Sequence, residues 1–251
     1  MHSNRSSMVS DMVKAGLRTP HFGSEGSMSN PLWLLGIEPG FGRTEGPAEH
    51  RTRMVDHLTH RPNGTGPYNW SESFEYPFGR IFGWVYQSMR GSDPRNYAQD
   101  LSKRDASELV YKNNFFPICF PTTNTAHWER LGAAEWTGWP NKESYRADLM
   151  HTRLATLGEG MAKHQPRVVL VAGLSMLDEA VMAFGRGGVE QVNHLTNIGG
   201  QSGLRCYHLA LRDMETPVLV LPFFGGRGGI NSHDKAQAIG AEIRRLTGEW
   251  S

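Results

Sequence analysis

Several short runs of apolar residues have the length and composition of buried strands. They cover residues 32–35, a segment leading into 113–117, residues 168–171 and residues 218–221. The run at 168–171 is the clearest, because four apolar residues end at Ala172-Gly173. Residues 206–211 are predicted as a possible edge strand. Continuous apolar runs of this kind are typical of parallel strands that are buried on both faces of a sheet.

Between these runs, apolar residues recur at the spacing of amphipathic helices. The longest such segment, residues 144–163, places five apolar side chains on one face: Tyr145, Leu149, Leu154, Leu157 and Met161. Further helices are predicted over 11–17, 78–89, 175–184 and 233–246. Strands that alternate with helices predict an α/β fold of three layers, with helices on both faces of a central, mostly parallel, four-stranded sheet.

The remaining segments are rich in glycine or polar residues. Residues 1–30 are predicted to be a flexible N-terminal arm, followed by a single domain over 31–251. Residues 41–76 contain many Gly, Pro and His residues and are predicted to be a long loop, which in a compact domain is usually functional. Residues 185–203 are a second glycine-rich stretch.

Composition narrows the class of protein. The chain has 251 residues, of which 38% are hydrophobic, so a packed globular domain is expected. No apolar run approaches the roughly 18 residues that cross a bilayer, and the first residues lack a signal-like apolar stretch, so no membrane partner and a cytoplasmic location are expected. Only Cys119 and Cys206 are present, which excludes a four-cysteine metal cage. The net charge is +1, so any nucleic-acid partner has to be bound by a local basic surface.

Three common enzyme signatures are absent from the loops that follow the strands. No Gly-x-Gly-x-x-Gly joins the first strand to a helix, no Gly-Lys-Ser/Thr occurs, and Gly200-Gln201-Ser202-Gly203 lacks the spacing of a nucleophile elbow. In open parallel sheets, ligands bind at the carboxyl ends of the strands. The loops at those ends are therefore the candidates for a site.

The first of these loops, Gly36-Ile37-Glu38-Pro39-Gly40, resembles the first motif of the uracil-DNA glycosylase superfamily. Asn113-Asn114-Phe115-Phe116-Pro117 is similar to the strand end where members of that family carry a base-reading asparagine, and residues 165–173 resemble the third strand and its glycine. The resemblance follows the order of elements from residue 32 to about 245. The second motif departs from the family, because Phe223-Phe224-Gly225-Gly226-Arg227-Gly228-Gly229-Ile230-Asn231 replaces its His-Pro-Ser or Asn-Pro-Ser.

The resemblance implies that Glu38 is a catalytic residue. Cleavage of an N-glycosidic bond passes through an oxocarbenium-like state, so a carboxylate stabilises the sugar cation and positions the attacking water. A solvated glutamate in a turn is the alternative. Asn231, at the end of the altered second loop, is the second catalytic candidate, and His233 is a weaker one. Ser232 is interpreted as the N-cap of the last helix.

Base-binding residues are expected around the same motif: Gly36, Ile37, Gly40, Phe41, Asn114 and Phe78. Gly40 occupies the place of a tyrosine that blocks 5-substituted pyrimidines in the family, so a 5-modified base is a hypothesis, and a simple turn glycine is the alternative. Asn114 is the candidate base reader, or Asn113 if the strand is offset by one residue. Phe74 and Tyr76 compete with Phe41 and Phe78 as the aromatic floor.

Contacts with the DNA backbone are assigned to Gly225, Gly226, Arg227, Gly228 and Gly229, because glycines free backbone amides to approach phosphates. The long loop offers a second basic patch with Arg43, Arg51, Arg53 and Arg61. In the same loop His50, His57 and His60 are a weaker alternative as a metal site.

Together these residues predict a monofunctional DNA glycosylase that removes uracil or a 5-modified pyrimidine, such as a modified phage cytosine. Its partner is DNA, a monomer is expected, and no metal or organic cofactor is required. Because no lysine lies in the motif loops, a Schiff-base mechanism is not expected. Repair and antiviral defence are both open as roles. The alternatives are a non-catalytic nucleic-acid or nucleotide sensor and a hydrolase of free nucleosides or nucleotides.

Overall fold

The computed structural model describes residues 11–38, 46–60, 66–104, 108–120 and 124–250, with the side chains of 57–60 outside this description. A six-stranded sheet has the order β2-β1-β3-β6-β5-β4. The strands are β1 (Leu32–Gly36), β2 (Val110–Asn114), β3 (Val168–Ala172), β4 (Val189–Thr196), β5 (Arg205–Leu211) and β6 (Met214–Leu221). The α/β class is confirmed, but the sheet has six strands where four were predicted.

The sheet is mixed. Strands β2, β1, β3 and β6 are neighbours that run parallel, with Leu32 opposite Val110 on one side and Val168 on the other. Strands β5 and β4 extend the sheet by antiparallel pairing beyond β6. The prediction that 206–211 is an edge strand was wrong, because β4 covers that side of β5. Strand β4 lies within the glycine-rich stretch 185–203, and most of its side chains are exposed.

Helices connect the strands and cover both faces of the sheet. Residues 11–18 form α1. The others are α2 (Pro47–His60), α3 (Trp70–Ser73), α4 (Pro77–Met89), α5 (Tyr97–Leu101), α6 (Ala126–Arg130), α7 (Ala133–Thr137), α8 (Lys142–His151), α9 (Arg153–His164), α10 (Leu177–Phe184) and α11 (His233–Thr247). Short 3₁₀ turns precede α5 and α10.

Two predicted segments differ in detail from the structure. The helix predicted over 144–163 is two helices, α8 and α9, which meet at Thr152, where the backbone is distorted to φ −105° and ψ −68°. The long loop predicted over 41–76 contains α2 and α3. Helix formation by α3 has a local cause, since the Asn69 side chain accepts a hydrogen bond from Glu72 N and caps the first turn.

Two hydrophobic cores lie on opposite faces of the sheet. Trp33 and Leu35 of β1 point into the core formed with α1, α8, α9 and α10, whereas Leu32 and Leu34 point into the core formed with α4 and α11. This alternation is the two-residue period of a strand. Because β1 is buried on both faces, its sequence is apolar throughout.

Residues 11–30 are part of the packed domain. Val13, Leu17 and Phe22 are buried in the first core. Arg153 is fully buried. Its guanidinium donates to five oxygens: the backbone carbonyl oxygens of Leu17, Thr19, Phe22 and Asn114 and the side-chain amide oxygen of Asn113. The flexible arm predicted for 1–30 is therefore wrong for residues 11–30, and residues 1–10 lie outside the described part of the chain.

Candidate functional site

The carboxyl ends of the four parallel strands lie at one edge of the sheet. Beyond β1 and β2 the two chains stay paired, because Phe115 N donates to Gly36 O and Phe116 N donates to Ile37 O, both at 3.0 Å. Gly173, after β3, donates from its backbone N to Leu221 O at 2.9 Å. The residues that follow β1, β2, β3 and β6 are thus held side by side, and this edge is the candidate site.

Glu38 lies at this edge in a buried ion pair. Its Oε2 accepts a hydrogen bond from Lys142 Nζ at 2.9 Å, and the side chains are 4% and 1% exposed, respectively. Lys142 is the first residue of α8, which Asn141 caps by accepting from Ser144 N. The other oxygen of Glu38, Oε1, is buried and makes no hydrogen bond with any described residue. The interpretation of Glu38 as a solvated turn residue was therefore wrong.

Burial is the largest influence on the pKa values of Glu38 and Lys142. Loss of water raises the pKa of the Glu38 carboxyl, and the positive charges of Lys142 and Arg146 act in the opposite direction. The same loss of water lowers the pKa of the Lys142 amine, against the charge of Glu38. Both shifts favour neutral forms, so the pair holds its charges less readily than an exposed pair does.

Aromatic rings and a second cation surround the pair. Lys142 Nζ lies 4.2 Å from the centroid of the Phe120 ring, and the Arg146 guanidinium lies 4.4 Å from that of Phe116. Arg146 also donates to Glu179 of α10 at 3.0 Å. These contacts fix α8 against the segment that follows β2.

The two asparagines at the end of β2 have different environments. Asn113 is buried, and its amide donates to Tyr111 Oη and Pro20 O and accepts from Arg153 and from Asn114 N. All of its hydrogen-bonding groups are therefore used inside the fold. The Asn114 side chain makes no hydrogen bond with the part of the chain that the structure describes, and it lies beside Gly36, where a Cβ atom would clash with its Oδ1. Of the two, Asn114 is the one with a free amide.

Other predicted base-binding residues are distributed around the same edge. Gly36 and Ile37 directly precede Glu38, and the Ile37 Cδ1 atom lies near Gly173, 3.1 Å from where a Cβ atom on that glycine would be. Phe78 packs on Phe223 and Phe224, with ring centroids 5.8 and 5.0 Å apart. Gly40 and Phe41 lie outside the described residues.

The alternative aromatic floors do not share one environment. Phe74 packs edge-on against Tyr97 at 4.8 Å and also contacts Trp70, so it belongs to the core. Tyr76 is 62% exposed. Phe74 and Phe78 are both half-buried, and Phe78 is the one of the three that contacts the second loop.

The second loop, residues 223–231, is a compact turn. Gly225 N donates to Ile230 O at 2.8 Å, and Ile230 N donates to Phe223 O at 3.0 Å. Gly225, Gly226 and Gly228 have positive φ, which favours glycine. At Gly229 a Cβ atom would clash with the carbonyl oxygens of Gly225 and Phe223.

Arg227 is exposed at the tip of this loop and has no hydrogen bond or ion pair with another described residue. Asn231 closes the loop instead of pointing to a ligand. Its Nδ2 donates to Gly226 O at 3.0 Å, and its Oδ1 accepts from Lys235 Nζ at 3.1 Å. The geometry gives Asn231 a structural role in the loop.

Two neighbours of the loop complete this region. Ser232 caps α11 by accepting from Lys235 N, as predicted. The His233 ring lies 4.2 Å from that of Trp84, away from Glu38's contacts.

The predicted basic patch and metal site fall partly outside the described residues. Arg43, Arg61 and the side chains of His57 and His60 are not described, whereas Arg51 and Arg53 lie exposed on α2. His50 is buried, with Nε2 2.8 Å from Cys119 O. Within the described ranges, no three His, Cys, Asp or Glu side chains are grouped to hold a metal.

The sequence did not indicate Lys142 or Arg146. Both lie in a mostly polar segment, Lys142 to Arg146, which is more than one hundred residues from Glu38 in the sequence. The only local signal was the Asn141 cap, which places Lys142 at the start of a helix. The absence of lysine from the motif loops therefore does not mean that lysine is absent from the site.

Comparison with known proteins adds no assignment: no protein-family model matches the chain, and no match was found among characterised proteins. Across the described residues, none of the helices combines the length and apolar character that crossing a membrane requires.

Proposed function

We propose that the protein is a monofunctional DNA glycosylase that hydrolyses the N-glycosidic bond of a flipped uracil-like or 5-modified pyrimidine. The observation that carries the proposal is Glu38. It is a carboxylate at the carboxyl end of β1, with one oxygen held by Lys142 and the other without a partner among the described residues. A carboxylate in this state can orient water and stabilise a developing sugar cation in a site from which water is otherwise excluded.

The neighbouring residues support a pyrimidine as the ligand. The Asn114 amide lies one strand away, beside Gly36, and has both a donor and an acceptor to offer a pyrimidine edge. Phe78 provides a half-buried ring next to the second loop. Stacking and amide pairing are the two ways in which enzymes read a flipped base.

The second loop supports contact with a nucleic-acid backbone. The loop follows the carboxyl end of β6. In the sheet, β6 lies two strands away from β1, which is about 9–10 Å at the usual strand spacing. Arg227 is exposed there without a protein partner among the described residues, and the backbone amides of Gly226 and Gly228 make no hydrogen bond with a described residue. In this proposal the loop holds phosphates and Asn231 maintains its shape.

The sheet is compatible with the glycosylase-like fold that the resemblance implies. Four neighbouring strands, β2, β1, β3 and β6, are parallel, and helices cover both faces. The added β4–β5 pair lies beyond β6, on the side away from β1. It leaves the edge with Glu38 and Asn114 unchanged.

Base release from a panel of DNAs tests the proposal. Purified protein is incubated with DNA that contains uracil, thymine mismatches, hydroxymethylcytosine or glucosylated hydroxymethylcytosine, and abasic sites are scored by alkaline cleavage. We expect release from at least one of these substrates by the wild type and not by Glu38→Gln. Glu25→Gln is the matched control. Glu25 also pairs with a lysine, Lys112, but this pair lies at the outer edge of β2, away from β1.

A non-catalytic nucleic-acid or nucleotide sensor is the second candidate. It is favoured by Asn231, whose amide is consumed within the loop and leaves no electrophile there for a departing base. A sensor binds its ligand but releases no base from any DNA in the panel. A hydrolase of free nucleosides differs again, because its activity falls little with salt, whereas binding to a polyanion falls steeply.

A further inference from the structure

Only one of the two carboxyl oxygens of Glu38 is hydrogen-bonded within the described residues. Lys142 Nζ contacts Oε2 at 2.9 Å, while Oε1 is buried with no hydrogen bond to the described residues. A carboxylate held at one oxygen has a fixed direction for the other. The Phe120 ring packs against the amine, with its centroid 4.2 Å from Nζ.

We propose that Lys142 is a positioning residue for Glu38, which holds Oε2 so that Oε1 is directed at the attacking water. Lys142 also keeps the carboxyl ionised in a place where burial favours its neutral form. The inference rests on the proposed function of Glu38 and adds a residue that the sequence motifs do not contain.

Apart from Lys142, few groups stabilise the ionised form of Glu38. The titratable and charged groups that act on Glu38 or on Lys142, apart from each other, come from α8 and α6: Glu143, Tyr145, Arg146 and His127. Behind them, Cys119 acts on Tyr145, and Glu179 of α10 pairs with Arg146. Arg146 is the other cation among them, and its guanidinium is already paired with Glu179. Lys142 is therefore the principal group that opposes protonation of Glu38.

The expected consequence is a shift in the pH profile of base release. The reaction needs ionised Glu38, so its rate falls as the pH drops through the pKa of that carboxyl. An opposite charge within hydrogen-bond distance lowers a carboxyl pKa by about 1–3. Loss of the amine in Lys142→Met therefore moves the acidic limb of the single-turnover rate to higher pH by about one to three pH units.

Two variants separate positioning from a merely structural role. Lys142→Arg keeps the positive charge, and we expect it to retain the wild-type acidic limb while its plateau rate falls. Lys112→Met removes the lysine of the Glu25 pair and is expected to leave the limb where it is. An unshifted limb in Lys142→Met, in protein whose thermal melt shows that it is folded, would overturn the proposal.

Two further measurements cover the remaining outcomes. Borohydride reduction during turnover traps a covalent protein–DNA product only if a protein amine attacks the sugar, and a trapped product mapped to Lys142 contradicts the positioning role. If the wild type releases no base, the proposed function fails. The inference is then decided by the titration of Glu38, followed by NMR of ¹³C-labelled glutamate carboxyls and assigned with Glu38→Gln. A midpoint that is equal in wild type, Lys142→Met and Lys142→Arg overturns it, and a higher midpoint in Lys142→Met alone supports it.

Discussion

At the residue scale, the Glu38–Lys142 pair combines a strong contact with a large desolvation cost. Two ions taken out of water lose several kcal/mol each, and their attraction offsets this only when all polar atoms are satisfied. Here Glu38 Oε1 has no hydrogen bond to the described residues. The pair is therefore a poor device for stabilising the fold, which agrees with the role in chemistry that we propose for it.

Substitutions in the pair should change stability in a non-additive way. Lys142→Met leaves a buried carboxylate alone, so we expect the free energy of unfolding to fall by about 3–5 kcal/mol. Adding Glu38→Gln removes the stranded charge, and the double variant should recover most of that loss or exceed the wild type. Urea unfolding at neutral pH measures all three proteins. A double variant no more stable than Lys142→Met alone would contradict this account of the pair.

Arg153 is the second buried cation, and it is satisfied by oxygens instead of an acid. Burial lowers the pKa of its guanidinium to about 10, which leaves it charged at neutral pH. Arg153→Leu strands several carbonyl oxygens, each of which costs about 1–3 kcal/mol when buried without a donor. We therefore expect a loss of at least about 3 kcal/mol in urea unfolding.

Arg18→Leu is the matched control for this experiment. Arg18 also ties the N-terminal segment to the helices, through Asp148, but its side chain is 43% exposed. Exposed pairs contribute about 0–1 kcal/mol. Equal losses in the two variants would show that Arg153 has no special role in holding residues 11–30.

The predictability of these residues follows from sequence distance. Glu38 was accessible from the sequence because the stop at Gly36 marks the end of a buried strand. The choice between Asn113 and Asn114 needed the structure, because it depends on which of the two side chains faces the buried guanidinium of Arg153. Lys142 and Arg153 were not predicted, since a charged residue in an amphipathic helix is normally assigned to the exposed face.

At the scale of elements, the shape of the second loop depends on glycine. A Cβ atom at Gly229 would overlap two backbone carbonyl oxygens, which cannot rotate away as a side chain can. We expect Gly229→Ala to open the loop and weaken DNA binding at least about tenfold, the effect of losing one charge-assisted contact of 1.4 kcal/mol. Fluorescence anisotropy with a labelled duplex measures the affinity.

Gly46→Ala supplies the comparison, because a Cβ atom at Gly46 would have no atom of the described residues within 4 Å. Its affinity for DNA should equal that of the wild type. If Gly229→Ala binds DNA as tightly as Gly46→Ala does, the loop does not hold the backbone.

The elements that the sequence predicted are those with a clear apolar pattern. The strands β1, β3 and β6 and the helices α4 and α11 each bury a continuous or periodic set of side chains. Strand β4 was missed because none of its side chains is buried, and polar and apolar residues occur on both of its faces, so its sequence lacks the alternation of a half-buried strand. Helix α2 was missed because its mean character is polar, although a proline at the first helical position is a common helix start.

At the scale of the whole molecule, four parallel strand ends bring together residues that are far apart in sequence. Glu38, Asn114 and the second loop come from β1, β2 and β6, while Lys142 comes from a helix behind them. Fold class was predictable because strands and helices alternate, but the number of strands was not. The composition of the site depends on long-range packing, for which a single sequence carries no direct signal.

A net charge of +1 requires any DNA surface to be local. If Arg227 neutralises one phosphate, Arg227→Ala should reduce the slope of log K against log[salt] by about 1. Arg186→Ala is the control, because Arg186 follows the far end of α10 and lies 3.8 Å from Glu159. Binding isotherms at several salt concentrations give both slopes, and equal slopes in wild type and Arg227→Ala would exclude this contact.

The most direct test of the central claim is the single-turnover rate of base release by wild type and Glu38→Gln on the best DNA substrate of the panel. Acid–base assistance by one positioned carboxylate contributes about 10²–10⁴-fold. We expect Glu38→Gln to be slower by at least about 10²-fold while it binds the same DNA with unchanged affinity. Equal rates in the two proteins, or no base release by the wild type from any substrate, would contradict the assignment of Glu38 as the catalytic group of a DNA glycosylase.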